Sequence, residues 1–340
     1  MTTEAPHRPC LYAIYDLSKA PVTFDVMNFF AFAHIWSQRA GFSGYHVIFV
    51  MGEGREFRNL TPKDLTLPYD EKIWRLWHVL MPHAGIARNC LGVSIMKERR
   101  ELAQLMRAIH PMQIIPPDYT LEKPNQLIML SQVFQLGPTA AEMEVFAPTA
   151  SALERVGGWL SRRAPGGRPV TITLRTSRAE PDRNSRLDEW LAAARVMRER
   201  GFDPIIVPDT DVVTGGYDMS IFGDLPVFSI GAVDLDLRLA MFRLATLNMA
   251  DNGGPAFLSY FMGGSTMLCF LPVDKLPAVV GLGRVGRMAE LLGVTEGESF
   301  PHATPLRRFV WRPDRLDTIV EEFDKAVAAL PPQAKDGEET

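Results

Sequence analysis

The feature that most constrains the fold is the alternation of short apolar runs with longer runs of helical period. Residues 11–15 and 46–50 are short, rich in Val, Ile and Tyr, and typical of buried strands. Between them, residues 24–38 carry apolar side chains at the spacing of one helical face. Strand, helix and strand in this order predict a βαβ unit, in which two parallel strands are joined by a right-handed crossover.

The second half of the chain contains the clearest unit of this kind. Residues 170–174 and 204–207 read as strands, and residues 185–200 between them carry apolar side chains at the helical period. Ser185 and Asp188 have the spacing of a capping box, which predicts that the helix begins there.

Weaker patterns of the same type occur along the rest of the chain. They predict strands at 113–115, 126–129, 227–230, 246–249 and 266–271, and helices at 72–80, 97–109, 149–162, 235–244, from 255 onward, and at 317–330. A chain of 340 residues is also too long for one ordinary core. We therefore expect an α/β protein with two consecutive βα domains, 8–148 and 149–330, followed by a polar tail at 331–340.

Composition excludes several classes of protein. The 36 Lys and Arg are outnumbered by 40 Asp and Glu, so the chain has no basic field for general nucleic-acid binding. No apolar run approaches the roughly 18 to 20 residues that cross a bilayer. Cys10, Cys90 and Cys269 are far apart and odd in number, which indicates neither a disulfide framework nor a zinc knuckle. A cytoplasmic protein without a transmembrane segment is expected.

The loop after the predicted strand 170–174 is the first candidate binding site. Ligands of open α/β sheets bind beyond the carboxyl ends of strands, and Arg175 stands directly at such an end. A guanidinium grips phosphate by two parallel hydrogen bonds, and Arg183 and Asn184 complete the polar set of this loop. The alternative is that these side chains are simply solvated.

A second candidate follows the predicted strand 246–249. In the run Asn252, Gly253, Gly254 and Pro255, the glycines allow close approach of a ligand and the proline suits a first helical turn. Amide groups at a helix start bind anions such as a pyrophosphate. The alternative is a tight turn that needs glycine for its own geometry.

Two further patterns are weighed against the residues around them. Residues 281–286 match the dinucleotide fingerprint, but Pro277 interrupts the strand that should precede it and only 54 residues follow. We expect a short helix or loop there rather than an NAD site. The seven histidines form no metal-binding pair or cluster, so neither a metal nor another cofactor is expected.

Several segments of the second half resemble a known family. Thr-Ile-Thr-Leu-Arg at 171–175, Arg-Asn-Ser-Arg-Leu-Asp-Glu-Trp at 183–190 and Val-Pro-Asp-Thr at 207–210 resemble the C-terminal half of bacterial GT-B glycosyltransferases. Residues 248–255, 268–271 and 304–311 add to this likeness, which covers about residues 165–325. The similar families are surface-polysaccharide proteins and, more distantly, fucosyltransferase-like enzymes.

The resemblance implies two Rossmann-like domains facing a cleft, the first binding an acceptor and the second a nucleotide-sugar donor. By position, Arg175 would be the counterpart of an arginine that contacts the donor diphosphate in the fucosyltransferase-like group. The chain departs from that group because Thr173 stands where those enzymes have a histidine.

Transfer to an acceptor hydroxyl also needs a group that takes its proton. Asp16, at the end of the first predicted strand, is the candidate base, with Asp25 and His34 as alternatives. Asp25 could instead cap the first helix, and His34 could be an ordinary buried histidine.

Together these observations predict a glycosyltransferase that moves a sugar from a nucleotide sugar to a surface-glycan or related acceptor. An epimerase acting on nucleotide sugars and a non-catalytic nucleotide- or sugar-binding protein on the same scaffold stay open as alternatives.

Overall fold

A computed structural model of the protein describes residues 9–124, 127–177, 181–210, 218–271, 273–275 and 283–332. Within these residues the chain forms two parallel β-sheets, one from the first half of the chain and one from the second. The α/β class is confirmed. Among the described residues no helix combines the length and apolar character that crossing a bilayer requires.

The first described sheet has the strand order β3-β2-β1-β4, and all of its pairs are parallel. Its strands are β1 (Leu11–Asp16), β2 (Tyr45–Val50), β3 (Cys90–Met96) and β4 (Ile114–Ile115). The helices of this half are α1 (Val26–Arg39), α2 (Pro62–Thr66), α3 (Tyr69–Arg75), α4 (His83–Ile86), α5 (Arg99–Ala108) and α6 (Leu130–Gln135). Helix α1 connects β1 to β2, which confirms the predicted βαβ unit.

The second described sheet has the order β6-β5-β7-β8-β9, again with parallel pairs. Its strands are β5 (Pro169–Thr173), β6 (Asp203–Val207), β7 (Leu247–Asp251), β8 (Met267–Phe270) and β9 (Arg307–Val310). Its helices are α7 (Ala150–Arg163), α8 (Leu187–Glu199), α9 (Leu235–Leu244), α10 (Gly254–Phe257), α11 (Gly283–Leu292) and α12 (Leu316–Ala329). The chain leaves β5 toward β6 on one side and returns to β7 on the other. The crevice at this reversal is where such sheets bind ligands.

Short helical turns complete the connections. Residues Leu76–Leu80 form a π-helical turn that continues α3. Turns of 3-10 helix occur at Glu53–Arg55, Pro111–Gln113, Pro181–Arg183, Met219–Phe222, Ser229–Ala232 and Leu258–Phe261.

Two strand predictions were wrong, and two strands were not predicted. Residues 227–230 do not form a strand: Val227 makes an isolated bridge to Ile206, and the chain then turns into a 3-10 helix. No strand forms at residues 127–129, and Gln126 lies outside the described residues. Strand β3 is half exposed along its length, and Gly92 and Ser94 interrupt its apolar residues, so it does not show the continuous apolar run of a buried strand. Strand β9 contains two arginines, which hid it in the same way.

One apolar core contains residues from both halves of the chain. Phe30 of α1 and Phe146 lie in it together with Phe261, which follows α10 in the second half. The rings of Phe146 and Phe261 pack edge to face at 6.3 Å, and the Phe146 N–H donates to the Phe261 carbonyl at 2.8 Å. The division into domains at residues 148 and 149 stays a prediction, because this core continues across it.

Candidate functional site

A cavity of about 250 Å³ lies beyond the carboxyl ends of β5 and β7, at the reversal of strand order. Both halves of the chain line it. The second half contributes Arg175, Arg183, Asp209 and Asn252 among other residues, and the first half contributes Asp25 and Asn28 from the start of α1. The structure thus brings the two loops singled out from the sequence into one cavity.

The loop after β5 is held by its own polar groups. The Arg175 N–H donates to Ser185 Oγ at 2.8 Å, and the Ser185 N–H donates to the Arg175 carbonyl at 3.0 Å. The Asn184 side chain accepts from the Ser177 N–H and donates to the Ser177 carbonyl, at 2.8 and 3.1 Å. These bonds fix the backbone from which Arg175 and Arg183 reach the cavity. Asn184 shapes the loop and is not among the cavity-lining residues.

The predicted capping box of the following helix was wrong. Helix α8 begins at Leu187, and Ser185 uses its hydroxyl to hold the Arg175 N–H. The N–H of Arg186, at the N-cap position, donates instead to the Asp314 carboxylate at 2.8 Å. A distant acidic residue has replaced the local cap that the spacing suggested.

The loop after β7 has a glycine with a steric role. A Cβ on Gly254 would lie 2.4 Å from Cβ of Phe24, so only glycine allows this close approach between the two halves. Gly253 is different, since its φ of −129° suits any residue and a Cβ there would meet Arg175 Cβ at an ordinary 3.8 Å. Glycine is therefore required at position 254 by the contact with Phe24 of the first half and not by the geometry of the turn, while Gly253 has room for a methyl group.

The start of this helix provides few groups for the anion site that the sequence predicts there. Helix α10 has four residues, too few for a strong dipole. The Asn252 N–H donates to the Phe270 carbonyl at 2.9 Å, and the Ala256 N–H donates to the Gly253 carbonyl. Asn252 itself is buried and lines the cavity, and its Nδ2 donates to Met288 Sδ at 3.4 Å.

A buried group of charges lies beneath these loops. Lys275 Nζ contacts Asp251 Oδ2 at 3.1 Å, Asp314 Oδ1 at 2.8 Å and the Asn184 carbonyl at 2.8 Å. Burial, reinforced by the negative charge of Asp314, raises the pKa of Asp251 to about 6, and Lys275 opposes this rise. Arg186 adds an ion pair of 2.6 Å to Asp314. This network ties the end of β7 to the loop after β5.

A buried arginine holds a third loop. Arg238 of α9 is fully buried; its Nε donates to the Gly231 carbonyl at 2.5 Å and its Nη2 to the Pro208 carbonyl at 3.0 Å. Burial lowers its pKa to about 10. Asp209, the residue after Pro208, lines the cavity, and its carboxylate accepts a hydrogen bond from the Thr176 N–H at 3.1 Å. Sequence reasoning missed these residues, and the available signal was an arginine placed between Leu237 and Leu239 of α9.

Asp16, the candidate base, lies in a different environment. The residue is 2% exposed and is not among the residues that line the cavity. Its oxygens accept from Arg99 Nη2 at 3.0 Å, Tyr119 Oη at 2.7 Å and Ser18 Oγ at 2.6 Å. The acceptance of three donors is typical of a structural carboxylate.

The two alternatives separate clearly. Asp25 is exposed, lines the cavity, and makes no side-chain hydrogen bond to the helix that it precedes. Its Oδ2 accepts from Thr23 Oγ1 at 2.7 Å. His34 is buried, its Nδ1 pairs with the Arg88 carbonyl at 3.1 Å, and burial lowers its pKa. Of the three candidates for the base, Asp25 is the one that lines the cavity.

The apparent dinucleotide fingerprint contributes a helix. Gly281 lies outside the described residues, while α11 begins at Gly283, as expected for a short helix. Met288 and Leu292 of α11 line the cavity with apolar atoms. In the described part of the chain, no three His, Cys, Asp or Glu side chains are grouped as a metal site. Arg178 of the β5 loop is also outside the described residues.

Solved structures resemble this chain over most of its length. ADP-heptose LPS heptosyltransferase II from E. coli aligns with a TM-score of 0.55 at 9% identity, covering 94% of this chain and 99% of that chain. The chain shares its fold with a heptosyltransferase. A glycosyltransferase of family 9 from Veillonella parvula DSM 2008 aligns with a TM-score of 0.48 at 12% identity, covering 79% and 83% of the two chains.

Other comparisons leave the finer predictions open. No family model and no curated protein matches the sequence. Both neighbours are glycosyltransferases, whereas the likeness to fucosyltransferases and the arrangement as two facing Rossmann-like domains stay predictions.

Proposed function

We propose that this protein is a glycosyltransferase that moves a sugar from a nucleotide-sugar donor to a hydroxyl of a surface-glycan or related acceptor. The observation that carries the proposal is that Arg175 and Arg183 line one cavity with Asp25, at the strand-order reversal. The fold likeness to an enzyme described as acting with ADP-heptose supports a nucleotide-sugar donor.

The cationic wall of the cavity suits the donor diphosphate. Arg175 is half-buried and lines the cavity, and Ser185 fixes its backbone on both sides before a ligand arrives. A preorganised cation stabilises the negative charge that develops on the departing nucleoside diphosphate. Arg183 and Asn252 line the same cavity and supply further polar contacts.

The proposed base is Asp25 rather than Asp16. In a direct displacement, the acceptor oxygen bonds to the anomeric carbon while the bond from that carbon to the diphosphate breaks. The nucleoside diphosphate departs with the electron pair, and the acceptor proton passes to the base. Asp25 is exposed in the cavity, whereas the oxygens of Asp16 are occupied by Arg99 and Tyr119.

In this assignment the two halves of the chain bind different substrates. The first half, residues 8–148, would bind the acceptor beside Asp25, and the second, residues 149–330, would bind the donor beside Arg175. A surface-glycan acceptor and a cytoplasmic location are parts of the same hypothesis.

Calorimetry with ADP, UDP and GDP tests the donor site. A charge-assisted hydrogen bond contributes about 1.5–3 kcal/mol. For the nucleotide that binds wild type, Arg175→Ala should therefore lower the affinity by roughly 10- to 150-fold. The control is Arg155→Ala, which removes an exposed arginine of α7 in the same half and should leave affinity unchanged. Equal affinities for wild type and Arg175→Ala would contradict the donor site.

Turnover tests the base and the competing function. Asp25→Asn should retain nucleotide affinity and lose most release of nucleoside diphosphate from a nucleotide sugar in the presence of cell-extract acceptors. A non-catalytic binding protein is the second candidate, favoured by Thr173 in place of a family histidine. Binding of nucleotide sugars by wild type without any such release would favour it.

A further inference from the structure

Helix α1 contains a buried polar side chain whose oxygen has no hydrogen-bond partner in the part of the chain that the structure describes. The buried polar residues of this helix are Asn28, His34 and Ser37. His34 pairs with the Arg88 carbonyl at 3.1 Å, and Ser37 Oγ donates to the His34 carbonyl at 3.0 Å. Asn28 Oδ1 is buried and has no hydrogen-bond partner among the described residues.

The position of Asn28 connects this oxygen with the cavity. Asn28 is 5% exposed and lines the cavity in the first turn of α1, three residues after Asp25. Residues three apart on a helix share a face, and Asn28 and the proposed base Asp25 line the same cavity. A buried acceptor without a donor lowers stability, and native proteins keep such groups where a ligand or water supplies the donor.

We propose that Asn28 is a specificity-determining residue whose carboxamide oxygen accepts a hydrogen bond from a sugar hydroxyl bound in the cavity. The hydroxyl belongs either to the sugar of the donor or to a sugar acceptor, both of which have to approach Asp25. A buried group built to pair with a hydroxyl discriminates strongly against analogues without one, because binding these would leave it unpaired. This inference rests on the proposed function and names the part of the substrate that Asn28 recognises.

The test variant is Asn28→Leu, which keeps the approximate shape of the side chain and removes its polar atoms. Removal of an unpaired buried acceptor should leave the ligand-free protein at least as stable as wild type in urea unfolding. The control is Ser37→Ala, which removes a buried hydroxyl with a partner in the last turn of the same helix, and which should not change sugar binding.

Two binding measurements distinguish the sources of the hydroxyl. Calorimetry compares ADP-glucose, UDP-glucose and GDP-mannose with the corresponding nucleoside diphosphates. If Asn28 recognises the donor sugar, Asn28→Leu lowers the affinity for the nucleotide sugar about tenfold and leaves the affinity for the nucleoside diphosphate unchanged. Saturation-transfer NMR with methyl glucoside and methyl mannoside, in the presence of the bound nucleotide, reports a free sugar in the acceptor position. Loss of the saturation-transfer signal of the free sugar in Asn28→Leu identifies the acceptor as the source of the hydroxyl.

The outcomes separate this inference from the proposed function. If nucleoside diphosphates bind through Arg175 and Asn28→Leu changes neither sugar measurement, the inference is overturned and the proposed function stands. A marked loss of stability in Asn28→Leu with unchanged sugar binding assigns the residue a structural role and overturns the inference as well. If no nucleotide or nucleotide sugar binds wild type, both are overturned.

Discussion

Replacement of Gly254 by alanine should separate the structural role of the β7 loop from its proposed ligand role. The added Cβ would stand 2.4 Å from Cβ and 3.0 Å from Cγ of Phe24. Carbon atoms pack at about 3.5–4.0 Å, so Phe24 would have to withdraw by roughly 1 Å or more. Its ring packs edge to face against the fully buried His83 at 6.0 Å, which leaves it little room to move.

The size of the effect follows from two opposing contributions. Overpacking of a well-filled core costs about 1–3 kcal/mol. Alanine is better than glycine in a helix by up to about 1 kcal/mol, and Gly254 is the first residue of α10. We expect Gly254→Ala to lower the free energy of unfolding by about 1–2 kcal/mol, with overpacking the larger contribution.

Gly253→Ala is the matched control in the adjacent position. Its Cβ would meet nothing closer than 3.8 Å, and its backbone is extended. Restriction of the unfolded chain should leave stability unchanged or raise it by about 0.4–1 kcal/mol. The assay is urea unfolding of both variants, with equal slopes against denaturant as the check that the same transition is measured.

Either of two results would refute this reasoning. One is a Gly254→Ala variant as stable as wild type, and the other is a Gly253→Ala variant that loses as much stability as Gly254→Ala. Nucleotide calorimetry on Gly253→Ala adds a separate readout. A stable variant that no longer binds nucleotide would show that position 253 needs glycine because a ligand approaches the backbone there.

Two further predictions concern buried charges. Asp16→Asn should lower the free energy of unfolding by about 1–3 kcal/mol, because it removes the charge of a buried carboxylate that pairs with the half-buried Arg99. Turnover per folded molecule should be retained, and a stable but inactive variant would restore Asp16 as the base. The pKa of Asp251 is raised from 3.8 to about 6 on folding, so its contribution to stability is fully present below pH 4 and is lost as the pH rises through 6. Asp251→Asn should remove this part of the pH dependence in urea unfolding between pH 4 and 7, and an unchanged profile would contradict the assigned cause.

The elements with a local signature were predictable. The hydrophobic periodicity of the sequence and the polar breaks between apolar runs predict the β1–α1–β2 unit and the β5–α8–β6 unit, and the structure confirms both. Helix α8 nevertheless begins at Leu187, one residue later than an N-cap at Ser185 would place it. The N–H of Arg186, at the N-cap position, donates to the carboxylate of Asp314, which is 128 residues away in the chain.

The site was predictable on one side of the cavity and not on the other. Arg175 was singled out because it follows a strand, and the carboxyl end of a strand is determined by local pattern. Asp16 met the same criterion, since it ends β1. Its environment depends on Arg99 and Tyr119, which are 83 and 103 residues away, and no local pattern records those contacts.

The sequence by itself therefore determined the α/β class, the parallel strands and the cationic loop at the end of β5. Each of these depends on residues within about one element of each other, where periodicity and turn chemistry act. Tertiary structure decided which carboxylate lines the cavity, why Gly254 is a glycine, and that Asn28 Oδ1 has no hydrogen-bond partner among the described residues. These depend on atoms from separate halves of the chain that meet only when the two sheets pack.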